Sequence, residues 1–213
     1  MIQLLFNGQS AIFVLLLFTI ILALSFHEFG HAWTAKMYGD DTATRLGRLT
    51  INPVAHIDPL GLMMIILVGF GWAKPVPTNP AKFNSFWASL VIAGAGPFAN
   101  LLLAFLAINL YAIALSNGVA FVQTESASTF FYFFTYINVL LMLFNLIPLG
   151  PLDGHYILPY FLPRHLARNY RDLNQRYGGY AVLGLVLLSY AGLPVFAWLR
   201  AGAQWVMSAL LVF

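Results

Sequence analysis

Long apolar segments separated by short polar stretches run through most of the chain. Four intervals contain no Asp, Glu, Lys or Arg: residues 1–27, 83–124, 126–152 and 177–199. A helix needs about 20 apolar residues to cross the hydrocarbon core of a bilayer, so each interval can hold a membrane segment. The pattern therefore predicts a polytopic membrane protein.

Individual helices follow from where the apolar runs begin and end. The first helix is predicted over residues 8–36 and ends at Gly39. Two further long helices are predicted over residues 87–115 and 129–149. The last two apolar runs, 179–192 and 194–213, are separated by the letters GLP, which indicate either one interrupted helix or a tight helical hairpin.

The region between the first two long helices has a different character. Residues 40–59 are polar and tolerate β-structure, which predicts a short hairpin or an extended segment at the membrane surface. Residues 60–72 are apolar but too short to span comfortably, which favours a re-entrant or interfacial piece. The predicted fold class is an all-α polytopic membrane protein with about four to six membrane segments and a small membrane-associated β or re-entrant region. Residues 1–213 are expected to form a single domain.

Composition supports the membrane assignment and excludes several other classes. Hydrophobic residues make up 61% of the chain and charged residues 8%, against about 25% charged residues in soluble domains. The absence of cysteine excludes disulfides, thiolate metal sites and cysteine nucleophiles. Nucleic-acid binding has no support, because the net charge is only +3 and the basic residues form no aromatic-lined face. No Lys or Arg precedes the first apolar run, so that run is interpreted as a retained helix.

The strongest chemical motif lies at the end of the first helix, where His27, Glu28 and His31 form the pattern H-E-x-x-H. Residues at i and i+4 share a helical face, so both imidazoles can reach one zinc ion while Glu28 reaches the metal's open position. The pentad also occurs by chance in helices. In a hydrocarbon setting, however, these side chains cost several kcal/mol unless they are paired or bound to metal.

Asp153 is the expected third ligand. It follows the letters NLIPLGPL at the end of the third long helix, where Pro and Gly indicate a helix break. Two histidines and one carboxylate leave the fourth zinc position for water, as a catalytic site requires. The alternative is that Asp153 only caps the turn before Gly154.

Basic residues predict which side of the membrane carries the site. They fall into two blocks, one after the first long helix and one after the third: Lys36, Arg45, Arg48, Lys74 and Lys82, then Arg164, Arg168, Arg171 and Arg176. Both blocks are expected in the cytoplasm. We therefore expect a multi-pass protein of the plasma membrane whose active site lies near the cytoplasmic side.

These motifs together resemble the site-2 protease family of intramembrane zinc metalloproteases, in its compact form without a PDZ domain. The matching segments are HEFGH (27–31), NPVAHIDP (52–59), GWAKPVPTNP (71–80), AGPFAN (95–100) and NLIPLGPLDGH (145–155). The resemblance implies one zinc ion held by His27, His31 and Asp153, with Glu28 as the base. It also implies an assisting polar role for Asn145 and a membrane-anchored protein as substrate.

Two further polar positions have open interpretations. The amide of Asn145 could donate a hydrogen bond to the oxyanion or the substrate backbone, or it could cap or bridge the helix break. His56 is a possible outer contact of the metal site or part of a water path, and Asp58 is expected to pair with it. The alternative for both is a surface His–carboxylate pair.

Two other functions compete with proteolysis. A metal or proton transporter would also place polar residues within helices, but it predicts repeated halves, and the sequence shows no repeat. A haem protein needs axial histidines on facing helices, whereas His27 and His31 share one face. The sequence therefore favours a protease whose partners are its substrate and the lipid bilayer, with the oligomeric state undetermined.

Overall fold

A computed structural model describes residues 1–212, and helices form nearly all of its regular structure. The α-helices, in chain order, are α1 Gln3–Phe6, α2 Ser10–Met37, α3 Thr42–Arg45, α4 Pro53–His56, α5 Pro59–Val68, α6 Ala88–Ser116, α7 Glu125–Asn145, α8 Gly154–Ile157, α9 Arg164–Tyr190 and α10 Val195–Leu210. Short 3₁₀ helices cover Pro80–Lys82, Ala120–Gln123 and Leu158–Phe161. The all-α prediction is confirmed.

Three of these helices are long and apolar enough to cross a membrane, namely α2, α6 and α7. The pair α9 and α10 would count as a fourth crossing if it is one broken span. Helix α6 packs against both α2 and α7, so it occupies the middle of the bundle. The apolar core between α6, α7 and α10 contains Ala104, Val139, Met142, Ala203 and Met207.

Small residues bring α2 and α6 unusually close together. A Cβ atom at Gly30 of α2 would lie 2.8 Å from the carbonyl oxygen of Ala95 in α6. Membrane helices use such small residues because close backbone approach increases their van der Waals contact. The close approach occurs one residue before His31, so it draws α6 against the H-E-x-x-H face.

The prediction of a hairpin or extended segment over residues 40–59 was wrong. Within residues 1–212 there is no β-strand, and this region instead forms α3 and α4. Local capping explains α4, since the side chain of Asn52 accepts a hydrogen bond from the Val54 amide and Pro53 occupies the first helical position. These end signals are stronger than the weak β-propensity of the segment.

The predicted re-entrant piece is a helix followed by a returning loop. Helix α5 begins where Asp58 accepts a hydrogen bond from the Gly61 amide, and it ends at Gly69, which adopts φ +84°. Ten residues of helix extend only about 15 Å, half of the hydrocarbon thickness. The Lys74 amide then donates to the His56 carbonyl at 2.8 Å, so the chain returns to its starting point.

The C-terminal region consists of two helices that meet at a sharp bend. Helix α9 begins at Arg164, well before the predicted start at residue 179, and therefore includes the arginine-rich segment. Helices α9 and α10 meet at 92° across the predicted break, so the pair is either one interrupted span or a re-entrant loop. Phe213, the last residue of the predicted 194–213 segment, lies outside the described residues.

Candidate metal centre

Three predicted ligands converge from two distant parts of the chain. Asp153 lies 3.1 Å from His27, measured between Oδ2 and Nε2, and 3.3 Å from His31, measured between Oδ1 and Nε2. The two Nε2 atoms are 3.1 Å apart. Within residues 1–212 this is the group of His, Asp and Glu side chains that could hold a metal ion.

The spacing and chemistry of these atoms fit zinc. Ligand atoms about 2.0–2.1 Å from a tetrahedral zinc ion are separated by about 3.3 Å from one another. The two histidine Nε2 atoms are 3.1 Å apart, close to that edge length, and each lies 3.1–3.3 Å from one of the two carboxylate oxygens of Asp153. Asp153 Oδ2 is also buried without a hydrogen-bond donor in the described part of the chain, as a metal-binding oxygen would be. The residues therefore fit a zinc ion.

Asp153 reaches this position because α7 stops before it. The helix ends at Asn145, and the following segment contains Pro148 and Pro151 before α8 begins at Gly154. Asp153 precedes α8, but its side chain makes no capping hydrogen bond. The alternative role of Asp153 as a turn cap is therefore wrong.

The opposite nitrogen of each histidine ring is held by α6. His27 Nδ1 lies 2.7 Å from the side-chain oxygen of Asn100, and His31 Nδ1 lies 2.7 Å from the carbonyl oxygen of Ile92. Metal-binding histidines typically use this second nitrogen to fix the ring orientation. Asn100 lies within the AGPFAN segment, but no role was predicted for it. The available signal was an amide in a mostly apolar helix, which Asn109 shares.

Gly96 of α6 supplies the space for the two imidazoles. A Cβ atom at this position would overlap His31 Nε2 and would lie 2.6 Å from His27 Nε2. Glycine is thus required here by the two imidazoles, although no role was predicted for it.

Glu28 is buried beside the ligands and points toward the loop that follows α5. Its Oε2 accepts a hydrogen bond of 2.7 Å from the Val76 amide. Arg48 holds the same loop from the other side, since its guanidinium donates to the Lys74 carbonyl at 2.7 Å and to the Pro75 carbonyl at 3.2 Å. Loop 74–76 is therefore fixed between a buried carboxylate and a buried guanidinium.

Arg48 was predicted only as a cytoplasmic charge, yet its residue is 6% exposed. Burial lowers the pKa of its guanidinium, and the nearby Glu28 carboxylate raises it. Arginine stays protonated through shifts of this kind because its ordinary pKa lies far above neutrality. The loop contact is therefore permanently charged.

His56 and Asp58 do not form the expected pair. His56 is 1% exposed, with Nε2 at 2.7 Å from the Thr50 carbonyl and Nδ1 at 3.4 Å from Arg48 Nη2. Asp58 instead caps α5. A surface role for His56 is thus wrong. Among residues 1–212, the contacts that link His56 to the site pass through Arg48 and loop 74–76.

Asn145 lies at the last turn of α7, and its amide nitrogen donates to the Leu141 carbonyl at 3.0 Å. This bond lies within its own helix and joins neither Asp153 nor the histidines. An assisting role toward a substrate therefore stays a prediction.

A polar contact at the end of α2 fixes the far end of the same loop region. Asp40 accepts hydrogen bonds from the Thr42 amide at 3.0 Å and the Asn79 amide at 2.6 Å. Burial raises the pKa of Asp40, but these hydrogen bonds and that of the Thr42 hydroxyl lower it more, so the net shift is downward. The ionised carboxylate thus ties residue 79 to α2.

Comparison with known proteins decides the family. The family model of Peptidase family M50 matches residues 13–124 and 112–189. The chain belongs to peptidase family M50. The predicted resemblance to site-2 proteases is confirmed by this membership. All three metal-ligand candidates, as well as loop 74–76, lie within the matched residues.

Several curated proteins that are similar to this chain are named as zinc metalloproteases. YwhC of Bacillus subtilis, named "Putative zinc metalloprotease", is 40% identical over 151 residues, which cover 70% of this chain and 69% of YwhC. Rip2 of Mycolicibacterium smegmatis, with the same description, is 31% identical over 153 residues, covering 68% of this chain and 56% of Rip2. Rip2 of Mycobacterium tuberculosis is 28% identical over 162 residues, covering 73% of this chain and 61% of Rip2. No solved structure matches the chain.

The names of these relatives and the His–His–Asp geometry agree on the cofactor. Zinc, predicted from H-E-x-x-H, is confirmed as the metal of this family, and the chain positions one group of ligands for it. The membrane character of the M50 family likewise agrees with the three apolar spanning helices.

Proposed function

We propose that this protein is an intramembrane zinc endopeptidase that hydrolyses peptide bonds of membrane-anchored proteins. The observation that carries the proposal is the convergence of His27, His31 and Asp153, with the carboxylate of Glu28 beside them. Membership of peptidase family M50 supports the same conclusion.

In this function, His27, His31 and Asp153 hold the metal. When bound, zinc lowers the pKa of a coordinated water and polarises the scissile carbonyl. Three protein donors would leave one coordination position of the metal free, as catalytic zinc sites require. The chain's own contribution is to hold the two histidine Nε2 atoms 3.1 Å apart, each within 3.1–3.3 Å of an Asp153 oxygen, in a largely apolar bundle.

Glu28 acts as the general base in this proposal. The Val76 amide holds Oε2, which fixes the carboxylate and leaves Oε1 to accept the proton of the attacking water. Glu28 then returns that proton to the leaving amine. Asn145 is proposed to donate its remaining amide hydrogen to the oxyanion of the tetrahedral intermediate.

The site is proposed to open toward the cytoplasm. His31 lies near the C-terminal end of α2, Asp153 follows the C-terminal end of α7, and the His31 contact Ile92 is near the start of α6. These helix ends therefore share one side of the bundle. The two basic blocks of the sequence lie in segments that adjoin the same ends, which the positive-inside rule assigns to the cytoplasm.

The proposal is tested by zinc quantification of the purified protein together with cleavage of a single-span test substrate. Wild type is expected to hold one zinc ion and to cleave. Glu28→Gln is expected to retain zinc and lose turnover by about 10²- to 10⁴-fold, because the amide cannot accept the proton. Loss of zinc from this variant, or normal cleavage by it, would contradict the assigned role.

Ligand variants separate metal binding from proton transfer. His31→Ala and Asp153→Asn are expected to lose zinc as well as cleavage, since each removes or weakens a donor to the ion. Normal zinc content and turnover in Asp153→Asn would refute the third-ligand assignment.

The orientation is tested by labelling, because the chain has no native cysteine. Single cysteines at Ser10, Thr44, Thr78, Ser126 and Asn169 are exposed to an impermeant reagent in intact cells and after lysis. Only Ser10 and Ser126 are expected to react before lysis. Outside labelling of Thr78 with inside labelling of Thr44 would show that residues 60–72 cross the membrane.

The transport alternative is not favoured. The family match and the names of the relatives both describe peptidases, and no comparison indicates transport.

A further inference from the structure

A line of buried amide side chains connects His27 to two other spanning helices. Asn100 of α6 and Asn138 of α7 are both 0% exposed. Asn100 Oδ1 faces His27 Nδ1 at 2.7 Å, and Asn100 Nδ2 lies 2.9 Å from Asn138 Oδ1. Unpaired amides are costly in an apolar interior, so each contact in this line constrains the next.

The direction of every hydrogen bond in the line is fixed by main-chain carbonyls, which can only accept. Asn138 Nδ2 donates to the Phe134 carbonyl at 2.8 Å, so Asn138 Oδ1 faces Asn100 and accepts from it. Asn100 Nδ2 also donates to the Ala23 carbonyl at 3.0 Å. Both amide hydrogens of Asn100 are therefore used, and its oxygen is left facing His27.

An amide oxygen can only accept, so His27 must carry its hydrogen on Nδ1. A neutral imidazole with hydrogen on Nδ1 has its lone pair on Nε2, the atom that faces Asp153. The same argument applies to His31, because its Nδ1 faces a main-chain carbonyl directly, that of Ile92. A side-chain amide and a main-chain carbonyl thus set the same tautomer in the two rings.

We propose that Asn100 and Asn138 are positioning residues that fix the metal-binding tautomer of His27, with Asn138 acting through Asn100 without touching the ring. The inference rests on the proposed function, since it concerns the zinc ligands. Asn138 sets the orientation of the Asn100 amide. A reversed amide would place an N–H group against Nδ1 and move the imidazole hydrogen to Nε2, where it blocks the metal.

Zinc affinity measured by chelator competition tests the role of Asn100. Asn100→Leu removes the acceptor for His27 Nδ1, and we expect a loss of affinity of about 10- to 100-fold. The matched control is Asn109→Leu in the same helix, because Asn109 is also buried but bonds to the Phe105 and Leu210 carbonyls. The control is expected to bind zinc like wild type.

Two substitutions at Asn138 separate positioning from packing. Asn138→Leu replaces the amide by an apolar side chain of similar size that offers Asn100 no acceptor. Zinc affinity should therefore fall, by less than in Asn100→Leu. In Asn138→Thr the hydroxyl can donate to the carbonyl four residues back and still accept from Asn100. This variant is expected to retain wild-type affinity. Equal losses in both variants would indicate packing alone and would overturn the proposal.

One further test uses only the wild-type protein, so its outcome does not depend on whether a variant folds. The chain has five histidines, so long-range ¹H–¹⁵N spectra of zinc-loaded protein can assign each ring. We expect the hydrogen on Nδ1 in both His27 and His31. A hydrogen on Nε2 of His27, or unchanged zinc affinity in Asn100→Leu, would overturn the proposal while leaving the peptidase assignment intact. Wild type without zinc would instead refute the proposed function itself.

Discussion

The proposed histidine ligands and the proposed base are held by two different kinds of structure. His27 and His31 are fixed by α6, through one buried amide and one helix carbonyl. Glu28, only one residue from His27, is fixed instead by loop 74–76, which has no regular structure and depends on Arg48 for its position. The ligand side is thus built from packed helices and the base side from a polar loop.

This difference assigns separate tasks to the two regions. Packed spanning helices resist displacement, so they can keep ligand atoms at the separations that a tetrahedral metal requires. A loop held by a few hydrogen bonds can be rearranged at lower cost. A protease also needs access for an extended peptide. On the base side, the backbone of loop 74–76 makes no helical hydrogen bonds, so it is the side that can rearrange around such a peptide. Substitutions on the two sides should therefore have different effects.

The largest expected effect is on the ligand side, at Gly96. Gly96→Ala places a methyl group against both Nε2 atoms, so we expect zinc and cleavage to be lost together. Gly94→Ala is the matched control, because a Cβ atom there meets nothing within 4 Å. Zinc content by metal analysis checks both variants. Full zinc content in Gly96→Ala would show that α6 can shift enough to make room for the methyl group, so packed helices would not hold the histidines as rigidly as proposed.

Asn145 tests whether the end of α7 also takes part in the reaction. If its amide stabilises the oxyanion, Asn145→Ala should lower kcat by about 10- to 1,000-fold with little change in zinc content. If it serves only the hydrogen bond to the Leu141 carbonyl, turnover should stay near that of wild type. Steady-state cleavage beside metal analysis distinguishes the two outcomes.

The base side is tested at Arg48. Arg48→Met preserves much of the side-chain volume but leaves the Lys74 and Pro75 carbonyls without their donor, so loop 74–76 should loosen and Glu28 lose its fixed position. We expect kcat to fall by about 10-fold or more while zinc content is unchanged.

Arg45→Met provides the control for Arg48, since the Arg45 side chain is 61% exposed and pairs only with Asp41 at the surface. It should cleave like wild type. If Arg48→Met lost zinc as well as turnover, loop 74–76 would also be needed to hold the metal, and the two regions would not have separate tasks.

The smallest effect is expected at Asp40, which ties residue 79 to the end of α2. The pKa of Asp40 is lowered in the folded protein, so its ionised form stabilises the fold above the unfolded pKa of about 3.9. That stabilisation is lost as the pH falls through the lower folded pKa.

Asp40→Asn is accordingly expected to be less stable than wild type at pH 7 by about 1 kcal/mol, and the gap should narrow as the pH falls below about 4. Thermal unfolding in detergent at pH 7 and pH 3 measures the difference. Asp172→Asn, at an exposed position of α9, is the control. A difference that does not depend on pH would show that ionisation of Asp40 is unimportant.

Local rules account for the parts of the structure that the sequence predicted well. The three spanning helices follow from uncharged apolar runs, since backbone groups in lipid must bond within their own segment. His27 and His31 share a face because helical periodicity places i and i+4 together. The β-tolerant composition of residues 40–59 did not predict the short helices α3 and α4, and only α4 has a clear start signal, the Asn52 cap.

The sequence by itself therefore determined a membrane-embedded helical chain with a two-histidine metal motif and a carboxylate within reach of it. Only the tertiary structure decided that Asn100, Asn138, Gly96 and Arg48 belong around the site. The contacts that bring them to the site join residues at least 26 positions apart, such as Arg48 with the Lys74 carbonyl. No periodicity or capping signal specifies such pairs, because they depend on how closely separate helices approach and on which buried polar groups must satisfy one another.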